Sequence, residues 1–76
     1  MHNNSINYQY EVDKKNIAYI VSVIEAYDNL AVVRTVDQWR GIIELLISPD
    51  FIEETNKLIE SLKKEIPVRK IDLSNS

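Results

Sequence analysis

Side chains able to do chemistry are few in this chain, and little holds them together. The one histidine, His2, stands in a polar N-terminal stretch, Met1–Ser5, that reads as a frayed tail. A general base or nucleophile needs a rigid frame to hold it against a substrate, and His2 has none. There is no cysteine, which excludes disulfides, thiolate metal sites and a cysteine nucleophile. Carboxylates are common but fall at caps, turns and ion-pair spacings. Glu25 and Asp28 close a helix and can lie near Thr35 or Arg34. A structural role suits them better than acid–base work, because most surface carboxylates are simply solvated. No phosphate loop, dinucleotide fingerprint, HExxH pair or EF-hand loop is present. The expectation is no catalytic residue, no metal site, no cofactor and no enzyme.

Binding chemistry is better represented. Two aliphatic runs, Leu30–Val36 and Ile42–Ile47, flank a polar turn that carries the only glycine, Gly41. That is a β-hairpin signal. With an odd number of loop residues, even-numbered residues of both strands share a face. One face holds Ala31, Val33, Thr35, Ile43, Leu45 and Ile47; the other holds Val32, Arg34, Val36, Ile42, Glu44 and Leu46. Arg34 and Glu44 are then opposite or diagonal and can pair. The plain role is a cross-strand ion pair that keeps the face wet. The sharper role is an interfacial pair or anion contact, ringed by aliphatics, where a charge pair specifies more than it stabilises.

At the tip, Asp37 is placed to bond backbone N–H groups, with a ligand pocket at Thr35 and Asp37 as the alternative. Trp39 is expected to fold back over the sheet end. Otherwise Trp39 and Arg40 form a contact anchor, both types being enriched at binding hot spots.

The elements around the hairpin follow from periodicity. Ile6, Tyr8, Tyr10 and Val12 alternate with Asn7, Gln9 and Glu11, which is a half-buried strand, Ile6–Val12. Asp13 is placed to cap a helix at Asn16–Tyr27, with a core stripe of Ile17, Ile20, Val21, Ile24 and Tyr27. Tyr19, Val23 and Ala26 add a second stripe, so that helix is deeply buried or meets a partner. Ser48-Pro49-Asp50 starts a second helix, Phe51–Ile66, burying Ile52, Thr55, Ile59, Leu62 and Ile66. Glu53–Lys57 and Glu60–Lys64 are spaced to pair on its wet side. Pro67 stops it, and Val68–Asp72 is a last strand whose facing the sequence leaves open.

The order β-α-β-β-α-β implies an α+β ferredoxin-like sandwich. Its four-stranded antiparallel sheet has order 4-1-3-2, with both helices on one face. The domain runs from 6 to 73, with tails at 1–5 and 74–76. The other sheet face, with Val32, Val36, Ile42 and Leu46, carries too much aliphatic surface for water. A homodimer that covers it is expected, with Arg34 and Glu44 setting register across the two-fold axis.

Composition sets the limits. Seventy-six residues make one small domain, worth roughly 4–11 kcal/mol of stability. No apolar run approaches the ~20 residues of a membrane span, and the N-terminus lacks the pattern of a signal peptide. No membrane role and a cytoplasmic location are expected. Net charge is −3, which disfavours nucleic acid. The only basic cluster, Lys63, Lys64, Arg69 and Lys70, suits a helix end and a guarded edge strand. RNA-binding domains of this topology use aromatics on the exposed sheet face, and Ile42–Ile47 has none.

Glu25, the Arg34-Thr35-x-Asp37 string, Gly41 and Ser48-Pro49-Asp50 resemble a family of small uncharacterised bacterial proteins, a domain of unknown function. The resemblance spans about Tyr8 to Ile71 and implies the fold and a bacterial source, with no activity to carry over. More loosely, the pattern is similar to ACT-type regulatory domains, which dimerise and bind small metabolites at the interface. Such domains usually carry a glycine between the first strand and helix; here Asp13-Lys14-Lys15-Asn16 has none. The expected function is a non-enzymatic dimeric interaction module acting through the open sheet face and hairpin tip, toward a protein partner. The alternative is an ACT-like metabolite site at the interface near Arg34, Glu44 and Asp28-Asn29.

Overall fold

Alternation in Ile6–Val12 produces the first strand, β1, in the computed structural model, which describes residues 6–27 and 30–71. The expected tails at 1–5 and 74–76, and the Asp28-Asn29 turn, lie outside the described residues. After β1 come one 3-10 turn (Lys14–Asn16), α1 (Ile17–Glu25), β2 (Ala31–Asp37) and β3 (Ile42–Ile47). A second 3-10 turn (Pro49–Phe51), α2 (Ile52–Lys63) and β4 (Val68–Ile71) complete the order. The strands form one antiparallel sheet, β2-β3-β1-β4, the expected 4-1-3-2 order read from the other edge. The fold is an α+β ferredoxin-like sandwich.

Helix boundaries differ from expectation at both starts. Asp13 and Ser48 each cap a short 3-10 turn, and neither side chain bonds the backbone there. Pro49 does open its turn, where its missing N–H is not needed. Inside α2, the buried Thr55 hydroxyl donates to the Phe51 carbonyl at 2.8 Å, so the polar atom is satisfied. The expected Glu60–Lys64 pair is replaced by Glu60–Lys63 at 3.3 Å, one position closer along the helix.

The core lies between the sheet and the helices. Tyr10, Val12, Ile43, Leu45 and Ile47 from the sheet meet Ile20, Ile24, Ile59 and Leu62 from the helices. The even face of β1 and the odd faces of β2 and β3 are therefore the helix side. Tyr27 departs from its expected place in the α1 stripe and is 52% exposed. Helical spacing ends at Glu25, so Tyr27 falls in the following turn and loses the register that would have buried it. Tyr19 is also exposed, and its hydroxyl donates to Glu65 at 2.7 Å, linking α1 to the end of α2.

The facing of β4 is now defined. Val68 and Lys70 pair with Val12 and Tyr10 on the helix side, while Arg69 and Ile71 share the open side with Glu11 and Gln9. Lys70 at the edge lies over the Tyr8 ring at 3.7 Å, a cation–π contact that leaves its ammonium near solvent.

Candidate interaction surface

Hairpin geometry positions the candidate residues. Asp37 Oδ1 accepts N–H bonds from Trp39 and Arg40, both at 3.1 Å, which closes the turn as the sequence suggested. Gly41 has φ +73°, a left-handed conformation. A second constraint was hidden in the sequence. The Val12 N–H donates to the Gly41 carbonyl at 2.8 Å, so β1 pairs with the turn itself. A Cβ on Gly41 would lie 1.8 Å from the Val12 carbonyl oxygen. Only glycine lets the two backbones come this close.

From this turn the register is fixed. Val32 faces Leu46 and Arg34 faces Glu44, directly opposite. Between Thr35 and Asp37 the ladder shifts by one residue, so Val36 sits in a bulge. Arg34 Nη2 donates to Glu44 Oε1 at 2.5 Å. The two partners differ in environment. The Arg34 side chain is 66% exposed, whereas that of Glu44 is 8% exposed although no helix covers that face. Glu44 lies on a central strand, flanked by Gln9 and Arg34 across the ladders and by Ile42 and Leu46 along β3.

The aliphatics of this face divide by strand. Val32 and Val36, on edge strand β2, are 62% and 48% exposed, while Ile42 and Leu46 are half-buried. The β1–β4 half of the face is polar, with Asn7, Gln9 and a Glu11–Arg69 ion pair. Arg34, Glu44, Val32, Val36, Ile42 and Leu46 are thus brought together as one surface.

Trp39 and Arg40 are not part of it. Trp39 does not fold back over the sheet end; it is 74% exposed, with Lys14 Nζ 4.7 Å from its ring centre. The Asp37 bonds hold the tip so that the indole projects from it, and Lys14 caps the ring in place of a core contact. Thr35 lines a groove of ≈ 390 Å³ beside Trp39. The expected basic cluster is divided between faces: Arg69 lies on the open side of the sheet and Lys70 on the helix side, while Lys63 at the end of α2 lines a cleft with Arg69.

No three histidine, cysteine or carboxylate side chains among the described residues converge as a metal site. No helix among them is long and apolar enough to cross a membrane. A family model described as Domain of unknown function (DUF4911) matches residues 10–66, from the middle of β1 past the end of α2. No curated protein and no solved structure matches the chain.

Proposed function

The chain belongs to the family described as Domain of unknown function (DUF4911), and from that premise we propose a non-enzymatic module that acts by protein–protein contact. Its first partner is a second copy of the chain, seated on the open sheet face. The observation that carries this reading is the adjacency of exposed Val32 and Val36 to half-buried Ile42 and Leu46 around the Arg34–Glu44 pair. Apolar surface arranged around a charged centre is costly to leave in water and is a common form of interface.

Three features favour a second copy. Charges on the face are balanced, Arg34 and Arg69 against Glu44 and Glu11, so two copies meet without net repulsion. Arg34 uses one donor nitrogen on Glu44 and keeps further N–H groups for a partner. Edge pairing is discouraged by the bulge in β2 and by Arg69 and Lys70 on the short β4. A bacterial source and a cytoplasmic setting belong to the same proposal. The first rests on the resemblance in Glu25, Arg34-Thr35-x-Asp37 and Ser48-Pro49-Asp50, the second on the absence of cysteine. The second reading is an ACT-like metabolite site at the dimer interface near Arg34, Glu44 and Asp28-Asn29, which a rise in melting temperature with a metabolite panel would favour.

Light scattering on the native chain and on Val32→Glu tests the reading. The variant puts a carboxylate in the apolar patch and should weaken the dimer at least roughly tenfold while leaving the urea midpoint of the monomer nearly unchanged. Equal dimer constants for the two chains would contradict it.

A further inference from the structure

The end of the sheet where Gly41 meets Val12 gathers cations from separate parts of the chain. Lys14 follows β1, Arg40 stands at the hairpin tip, Lys63 closes α2 and Arg69 lies in β4. With Trp39 and Pro67 they line one cleft of ≈ 700 Å³. The acids on its wall are Glu11 and Asp13. Cations therefore exceed carboxylates by two (four against two) inside a chain whose net charge is −3. That local reversal of sign is not visible in the overall composition.

Not all of these cations are committed within the fold. Arg69 is paired with Glu11 and Lys63 with Glu60. Lys14 and Arg40 have no carboxylate partner among the described residues. Trp39 borders this cleft and also the smaller groove lined by Lys14, Ile17 and Thr35. Its ring is therefore shared by both, with one ammonium over it and most of its surface in water.

We propose that this cleft binds a small anion carrying a planar ring, of the nucleoside phosphate class. The two cations without a carboxylate partner among the described residues, Lys14 and Arg40, both line the cleft and can pair with an anionic phosphate group. Arg40 offers a planar fork suited to phosphate oxygens, and Lys14 and Lys63 supply point charges beside it. Trp39 supplies a stacking surface, which accepts any base because every base has a π face. The cations are solvated, so binding is moderate and salt-sensitive. This inference does not rest on the dimer. The cleft shares Glu11 and Arg69 with the open sheet face, but Lys14, Trp39 and Arg40 are outside the apolar patch at Val32 and Leu46, so variants at those positions test the two readings separately.

Trp39 is the only tryptophan, so its fluorescence reports on the cleft directly. The probe is adenosine diphosphate, with adenosine and inorganic phosphate as partial ligands. The expected result is a saturable change with adenosine diphosphate and at least roughly tenfold weaker binding of each part. Arg40→Gln, an exposed change, should weaken adenosine diphosphate at least roughly fivefold, and Lys14→Gln should act in the same direction. A response that stays linear, as collisional quenching does, would overturn the proposal. So would equal affinity for inorganic phosphate, which removes the ring, or an unchanged constant in both variants. Binding of a uridine oligonucleotide without adenosine diphosphate would replace it with RNA.

Discussion

A methyl group at Gly41 would meet the Val12 carbonyl oxygen at 1.8 Å while also forcing an L-residue to φ +73°. The left-handed conformation alone costs about 1–2 kcal/mol, and relieving the overlap must open the β1–β3 ladder. Gly41→Ala should therefore lose at least about 2 kcal/mol in urea unfolding. That is a large share of a small domain's stability, and an unchanged midpoint would contradict the close approach. Tyr10 makes a second test. Burial first, then the negative charge of Tyr8 and Glu60, pushes its pKa up to about 12 from the ordinary 10.0. Below pH 10 both states hold the proton and Tyr10 adds no pH dependence. As pH rises from 10 toward 12 the unfolded chain ionises while the fold stays protonated, so stability falls, by on the order of 2–3 kcal/mol. Tyrosinate absorbance of the native chain minus that of Tyr10→Phe should show Tyr10 ionising last or with unfolding. Ionisation near its ordinary value would contradict its burial. Tyr19 is also raised, first by the hydrogen bond it donates to Glu65, but it is exposed and carries little stability.

At the scale of elements, the hairpin is the part most legible in the sequence. Alternation in Leu30–Val36 and Ile42–Ile47 put Arg34 and Glu44 on one face, opposite or diagonal, and the odd residues on the other; the ladder makes them directly opposite, with the bulge at Val36 keeping the faces aligned across a four-residue turn. Aliphatic runs with period two specify a face, because a slip by one would invert it. The strand β1 was legible for the same reason, and the Asp37 turn because an aspartate carboxylate readily accepts backbone N–H groups two and three residues on. What escaped were features set by other elements. The β1 contact that fixes Gly41 is long-range, the bulge at Val36 leaves no composition mark, and the facing of β4 depends on its pairing with β1. The cleft beside Trp39 was hidden because Lys14, Arg40, Lys63 and Arg69 are dispersed until the fold collects them. Tyr27 was misplaced by extending helical spacing beyond Glu25. Removing the Arg34 guanidinium leaves Glu44 as a charge that is almost wholly buried without its partner. Arg34→Ala should cost the monomer about 1–2 kcal/mol, a value reduced from that of a buried pair because Arg34 itself is largely solvated. Thermal unfolding at a concentration where the chain is monomeric checks this, and no loss would mean that Glu44 is stabilised by other groups.

For the whole molecule, a single sheet with both helices on one side leaves the other side without a layer. Most two-layer domains make that side polar, and the β1–β4 half does so with Asn7, Gln9, Glu11 and Arg69. The β2–β3 half does not, since Val32, Val36, Ile42 and Leu46 surround one ion pair there. A second copy packed on that half would complete a third layer and desolvate Arg34 against acceptors as well as aliphatics. Loss of the dimer on Arg34→Ala would then exceed the loss of monomer stability, which separates an interfacial pair from a merely local one. The most direct measurement is sedimentation equilibrium of the native chain across a concentration series. A face-to-face dimer gives a mass that rises from the 8.9 kDa of one chain to twice that value, with one dimer constant throughout. A mass that stays at 8.9 kDa across the series would contradict the face-to-face dimer and leave the patch for a different protein to cover.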